Sequence, residues 1–299
     1  MPPARARVRA AVVDDRRLRA WPLPVLARDC DKEDRGRLLV IAGSAPMPGA
    51  AVLVAEAALR AGAGKVQLAT ERSVVGLVAA AVPEIYAIPL AGGGSADAVL
   101  RLARRCDALC IGPGMSEGAP LRALLRRLLT DARLAQVPLL IDAAALIELA
   151  ALRDAGMRPA RPLVVTPHAG ELAAMLGWTK AAIIADPRPA ALACARRFAA
   201  VALLKGGETW IATPVGALHR SSAGGHGLAT GGSGDVLAGV ITALLARGAT
   251  PVQAAAWGAH VHGRCGEILA RRVGAIGYLA RELAAEVPGV MQGLGANRR

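Results

Sequence analysis

Short, mainly apolar, strand-like runs fall along this chain at 38–42, 65–69, 108–111, 138–141, 163–166 and 201–204. Between them lie amphipathic stretches rich in Ala, Leu and Arg, at 50–61, 96–105, 120–134, 144–152 and 188–198. Continuously apolar strands separated by helices of this length predict βαβ units and a mostly parallel central sheet with helices on both faces, an α/β layered fold. The rhythm changes at 208–212 and 216–218, two short runs joined by a turn at Pro214 that predict a hairpin. Two long apolar-periodic helices follow at 233–246 and 251–271, with Gly248 ending the first and Pro251 opening the second. No internal repeat and no linker rich in Pro, Gly or Ser divides the chain. Residues 36–290 are therefore expected to form a single domain, preceded by an Arg- and Asp-rich extension, 1–35, lying on the surface and followed by a tail, 291–299.

Composition narrows the function classes. Of 299 residues, 54% are hydrophobic and 20% charged, which excludes disorder. Every apolar run is interrupted well before the roughly 18 residues that a membrane span needs. The Arg-rich start lacks an apolar signal core and carries Asp14 and Asp15, which an acid-poor transit peptide avoids, so a cytoplasmic protein with no membrane partner is expected. The formal charge is +13, nearly all of it Arg, since Lys occurs only at Lys32, Lys65, Lys180 and Lys205. With 2% aromatic residues the chain offers no stacking platform, which argues against nucleic acid and for acidic small molecules such as nucleotides. Five cysteines without a CxxC pair predict neither a disulfide framework nor a thiolate zinc site, and Cys106 and Cys110 read as small buried hydrophobes.

In open parallel sheets ligands bind beyond the carboxyl ends of the strands. The loops there hold Gly43 to Ala50, then Gly112, Pro113 and Gly114, then Asp142, then Thr166, Pro167 and His168, then Lys205, Gly206 and Gly207. The sharpest pattern is Gly231, Gly232, Ser233, Gly234 and Asp235 opening directly into an apolar helix. Converging backbone N–H groups and a positive helix end make an anion hole that suits a phosphoryl group. Asp235 then suits a general base accepting the proton of a hydroxyl that meets the phosphoryl group, although a carboxylate that merely stabilises a helix start fits the same position. No GxxxxGK[ST] and no GxGxxG after the first strand occurs, Asp235 replaces the last Gly of a GxSxG elbow, and HExxH is absent. His260 and His262 read as helix-packing residues. Lys205, ending a buried strand, suits contact with nucleotide phosphates, or else snorkels at the sheet rim. Glu171 has a role as a first-turn carboxylate, whereas His168 has no structural role visible in the sequence and reads as a ligand contact.

These residues resemble the ribokinase-like superfamily and, within it, the ADP- or ATP-dependent NAD(P)H-hydrate dehydratases. The resemblance runs from about Gly36 to Pro288 through GRLLVIAG, GAAVLVAEAALRAGAG, IGPG, TPHAGE, LKGGET and GLATGGSGDVLAG, in family order. It implies a ribokinase-like fold and the nucleotide-dependent removal of water from hydrated NADH or NADPH. The implied steps are phosphorylation of the ring hydroxyl, with Asp235 as base and Gly232, Ser233 and Gly234 as anion hole, and then loss of phosphate. Ala50, Gly114, His168 and Asp235 match substrate-contacting positions; Lys205, Gly206, Gly207, Glu208, Thr209 and Gly234 match nucleotide-binding ones. Magnesium and ADP or ATP are the implied cofactors, with no protein ligand for the metal assigned. A homo-oligomer is expected, together with a separate epimerase acting on the same substrate. Two positions depart from the family pattern: Ala144 replaces a carboxylate of DADAL, and Asp31-Lys32 stands for a His-Lys pair. The competing readings are a small-alcohol kinase of the same superfamily, acting on a thiazole or pyrimidine alcohol, and a nucleotide-binding regulator without catalysis.

Overall fold

A computed structural model describes residues 9–27, 29–90, 95–159 and 161–295. Among these, ten strands form one sheet: β1 (Ala11–Val12), β2 (Arg37–Ile41), β3 (Lys65–Glu71), β4 (Tyr86–Leu90), β5 (Ala108–Ile111), β6 (Leu139–Ile141), β7 (Leu163–Val165), β8 (Val201–Leu204), β9 (Thr209–Ala212) and β10 (Leu218–Ser221). Their spatial order is β1-β10-β9-β8-β7-β6-β5-β2-β3-β4, and every pair from β8 to β4 runs parallel. Only β9 is antiparallel to its neighbours, as the hairpin pattern requires.

The apolar runs sort cleanly onto two faces because successive strand residues point to opposite sides. Leu38 and Val40 of β2, and Ala108 and Cys110 of β5, enter one core; Leu39, Ile41, Leu109 and Ile111 enter the other. The first core takes α1 (Asp15–Arg19), α2 (Pro48–Arg60) and α3 (Val75–Ala81). The second takes α4 (Ser95–Ala103), α5 (Ala119–Thr130), α6 (Ala144–Asp154), α7 (Ala169–Leu176), α8 (Lys180–Ala185) and α9 (Pro187–Phe198). The chain then returns to the first face with α10 (Ser233–Ala246), α11 (Pro251–Arg272) and α12 (Ala280–Gly293). Helix α10 is buried nearly all round, and Gly239 lets α2 approach it: a Cβ there would stand 2.3 Å from the Val54 carbonyl oxygen. No described helix is long and apolar enough to cross a membrane.

The amino-terminal residues do not lie loosely on the surface. β1 adds a parallel edge strand beside β10, Leu18 and Leu23 are buried, and the Trp21 carbonyl accepts a hydrogen bond from Trp257 Nε1 of α11 at 2.9 Å. Their apolar positions are too few and too spaced to stand out among the arginines. Nor does a tail begin at 291, because α12 continues to Gly293 and Met291 is buried. Cys106 and Cys110 are buried as expected, and burial pushes the Cys106 thiol up to about 12.

Candidate functional site

All the loops singled out lie at the carboxyl edge of the parallel strands. After β2 the chain turns at Gly43, and Ser44 Oγ donates to the Gly114 carbonyl at 2.7 Å while Glu71 at the end of β3 accepts from the Ala45 amide at 2.7 Å. Gly114 has φ +63, and a Cβ there would stand 2.5 Å from Ala50 Cβ, so Ala50 and Gly114 lie side by side. Glu148 of α6 accepts from the Gly118 amide and from Arg122, which fixes the far end of the loop that carries Gly114.

After β6, Asp142 is buried and its Oδ1 accepts from Thr166 Oγ1 at 2.8 Å and from Lys205 Nζ at 3.0 Å. The next residue, Ala143, has φ +49 without being glycine, a strained backbone that turns the chain sharply into α6 behind the carboxylate. Lys205 is anchored through its own backbone, which donates to the Pro167 carbonyl at 2.9 Å, and Glu171 stands 3.9 Å from its ammonium. Burial works against the charge on Lys205, but Asp142 and Glu171 outweigh it and hold the ammonium above its ordinary range.

His168 does have a structural role. It is the N-cap of α7: Nδ1 accepts from the Gly170 and Glu171 amides, while the Glu171 carboxylate accepts from the His168 amide at 2.7 Å. An imidazole is an unusual cap, which is why this role is not visible in the residue pattern. The residue nonetheless also borders the cavity described next.

That cavity, of about 790 Å³, is walled by His168, Lys205, Gly206, Gly207, Thr209, Ser233, Gly234 and His262, with the 223–230 loop across from them. Gly232 is the N-cap of α10 with φ +87, and Ser233 to Asp235 form its first turn. A Cβ on Gly234 would stand 3.4 Å from Lys205 Nζ and 3.9 Å from Asp142 Oδ2, so the helix amides, the ammonium and a carboxylate converge on one spot. Asp235 does not line the cavity; it sits beyond the turn, on the side where Gly232 meets Leu53 of α2. Burial, with the Asp142 charge adding to it and Lys205 partly offsetting both, raises its carboxyl to about 6. Glu208 also stays out of the cavity and pairs with Arg220 at 2.8 Å.

His262, read from the sequence as a helix-packing residue, reaches the site as well. It is buried beneath the turn, with Nε2 3.0 Å from Ser233 Oγ, and burial pushes its pKa down to about 4. His260, two residues earlier, instead faces Asp15 at 2.7 Å.

A glycine-capped helix start, a lysine at a strand end and a buried carboxylate near neutrality come together at the carboxyl edge of a mostly parallel sheet, an arrangement of the kind found in enzyme active sites on ribokinase-like folds. A ribokinase-like superfamily protein from Enterococcus faecalis shares the fold, with TM-score 0.81 and 24% identity over 96% of this chain and 97% of that one. The chain belongs to the NAD(P)H-hydrate dehydratase family, whose pattern matches residues 38–289. An ADP-dependent (S)-NAD(P)H-hydrate dehydratase from Xanthomonas campestris is 45% identical over 285 residues, covering 93% of this chain and 94% of that protein. The ADP/ATP-dependent NAD(P)H-hydrate dehydratase from Bacillus subtilis, co-crystallised with ATP and Mg2+, superposes with TM-score 0.82 at 28% identity, covering 95% of this chain and 99% of that one.

Proposed function

We propose that this chain removes water from hydrated NADH or NADPH, consuming a phosphoryl group of ADP or ATP and restoring the dihydronicotinamide. The observation that carries the reading is the placement of Asp235 one residue beyond a helix-start anion hole, across from Lys205. The ring hydroxyl gives its proton to Asp235 as its oxygen bonds to the terminal phosphorus, and the bond from phosphorus to the nucleotide's bridging oxygen breaks. The amides of Gly232, the N-cap, and of Gly234, with the Lys205 ammonium, stabilise the charge on the phosphoryl oxygens in place, while Ser233, whose amide donates to the Thr230 carbonyl at 3.3 Å, offers its hydroxyl. Inorganic phosphate then leaves with push from the ring nitrogen, and loss of a proton from the neighbouring carbon restores the double bond. Ala50, Gly114 and His168 border the hydrated ring and its dinucleotide; Lys205, Gly206, Gly207 and Thr209 hold the nucleotide phosphates, with Glu208 steadying β9 from behind.

The donor set fits magnesium carried in by the nucleotide. Among the described residues no group of three His, Cys, Asp or Glu stands ready as a cage, while Asp142 and Glu171 offer carboxylates beside Lys205. Both already face the Lys205 ammonium, so a cation there would be held chiefly by the nucleotide's own phosphates, whose charge it would neutralise.

Incubating the protein with hydrated NADH, magnesium and each nucleotide in turn tests the reading. Inorganic phosphate and dihydronicotinamide absorbance should appear in equal amounts, and Asp235→Asn should turn over on the order of a hundredfold more slowly while still binding ligands. A stable phosphorylated product without regained absorbance would point to a small-alcohol kinase instead.

A further inference from the structure

Helix α11 carries two histidines two residues apart, which at about 100° per residue places them on opposite faces. One face is fastened outward through His260 and Asp15, and the other aims His262 inward at the anion-holding turn. Glycines set the reach: a Cβ at Gly258 would stand 2.4 Å from Ile241 Cγ1 of α10, and one at Gly263 would stand 2.4 Å from the Ala223 carbonyl oxygen. Helix α11 thus lies close enough to α10 and to the 223–230 loop for His262 Nε2 to come within 3.0 Å of Ser233 Oγ, with both residues bordering the cavity.

We propose that His262 is a positioning residue for nucleotide binding: its Nε2–H donates to Ser233 Oγ, which leaves the serine hydroxyl hydrogen free to donate to a phosphate oxygen. The proposal rests on the nucleotide reading of the cavity given above. A hydroxyl has one hydrogen and two lone pairs, so an N–H that fills a lone pair from behind turns the O–H toward the open side. The ring is deeply buried and uncharged at neutral pH, so it orients the hydroxyl without adding a cation that would hold phosphate by itself.

Calorimetric titration of ADP into the parent, His262→Leu, His262→Gln, Ser233→Ala and the His262→Leu/Ser233→Ala double variant tests this without requiring turnover. His262→Leu and Ser233→Ala should each weaken ADP about tenfold, and the double variant should be no weaker than Ser233→Ala alone. His262→Gln, whose amide N–H2 reaches the same point, should bind within about twofold of the parent. Where leucine impairs folding, His262→Asn, polar but one methylene too short, takes its place with the same expected loss. Parent-like affinity in the leucine or asparagine variant, glutamine as weak as leucine, or losses that multiply in the double variant would each overturn the assignment. A parent that binds neither ADP nor ATP would instead remove the nucleotide reading itself, and the positioning role with it.

Discussion

Asp235 should be a burden on the fold wherever it is charged. Its carboxyl ionises at about 6 in the folded protein against an ordinary value of 3.8, so the folded state binds a proton that the unfolded state has already released. Stability from this residue is therefore present in acid, is lost as pH rises from 3.8 through 6, and is fully lost above that. At about 1.4 kcal/mol per pH unit the interval amounts to about 3 kcal/mol at pH 8 and about half of that at pH 5. Asp235→Asn has no charge to desolvate and should be more stable than its parent by up to about 3 kcal/mol at pH 8, with the gain shrinking toward half at pH 5. Urea denaturation of both proteins without nucleotide, at the two pH values, measures it. An asparagine variant no more stable than the parent at pH 8, or a gain equal at both pH values, would refute the claim that burial and Asp142 act on this carboxyl. The same titration should appear in the parent as an acid limb near pH 6 in kcat/KM, since a protonated carboxyl cannot act as base.

Lys205→Met should weaken ADP and ATP by roughly ten- to hundredfold in calorimetry, the loss typical of a charge-assisted contact, and should move the acid limb to higher pH because the ammonium that favours ionised Asp235 is gone. Gly239→Ala should cost about 3 kcal/mol in denaturant titration, since its Cβ meets the Val54 carbonyl, a backbone atom that cannot swing aside. Asp15→Ala should destabilise by about 1–2 kcal/mol near neutrality by leaving buried His260 without its partner. The hydrogen bond from His260 lowers the Asp15 carboxyl, so its contribution is present above 3.8 and the difference from the variant should narrow as pH falls through the lower folded value.

The strands buried on both faces were legible because β5, β8 and β2 beyond Arg37 need apolar residues at every position, and the Gly231 to Asp235 turn was legible because few other structures call for that composition. What escaped the sequence is marginal or borrowed. β4 is interrupted by Pro89, which a strand tolerates here only because β4 is the sheet's edge and one side of it needs no donor. β1 has two residues, and β10 runs on through His219 and Arg220, polar because the sheet is thinning toward its rim. In the site, the carboxylate of Asp142 and the imidazole of His262 gain their meaning from Lys205 and Ser233, residues 63 and 29 positions away. No local pattern encodes such pairings, and the strain at Ala143 is likewise set by what lies around it rather than by the alanine.

The first described residues of the chain are fastened to nearly its last helices, and this sets the order of events at the ribosome. Asp15 meets His260 across 245 positions and Trp21 meets Trp257 across 236. Closing a loop of that length costs about 5 kcal/mol in chain entropy, and the contacts of Asp15 and Trp21 cannot form until α11 has been made. At roughly 5–20 residues per second the segment waits on the order of ten to fifty seconds after its own synthesis. Through the last part of that interval the outer edge of β10 is an open row of backbone donors and acceptors, a template for any passing strand. The arriving segment closes that edge, so its loss would be felt first as aggregation of newly made chains, before any change in turnover by those that fold.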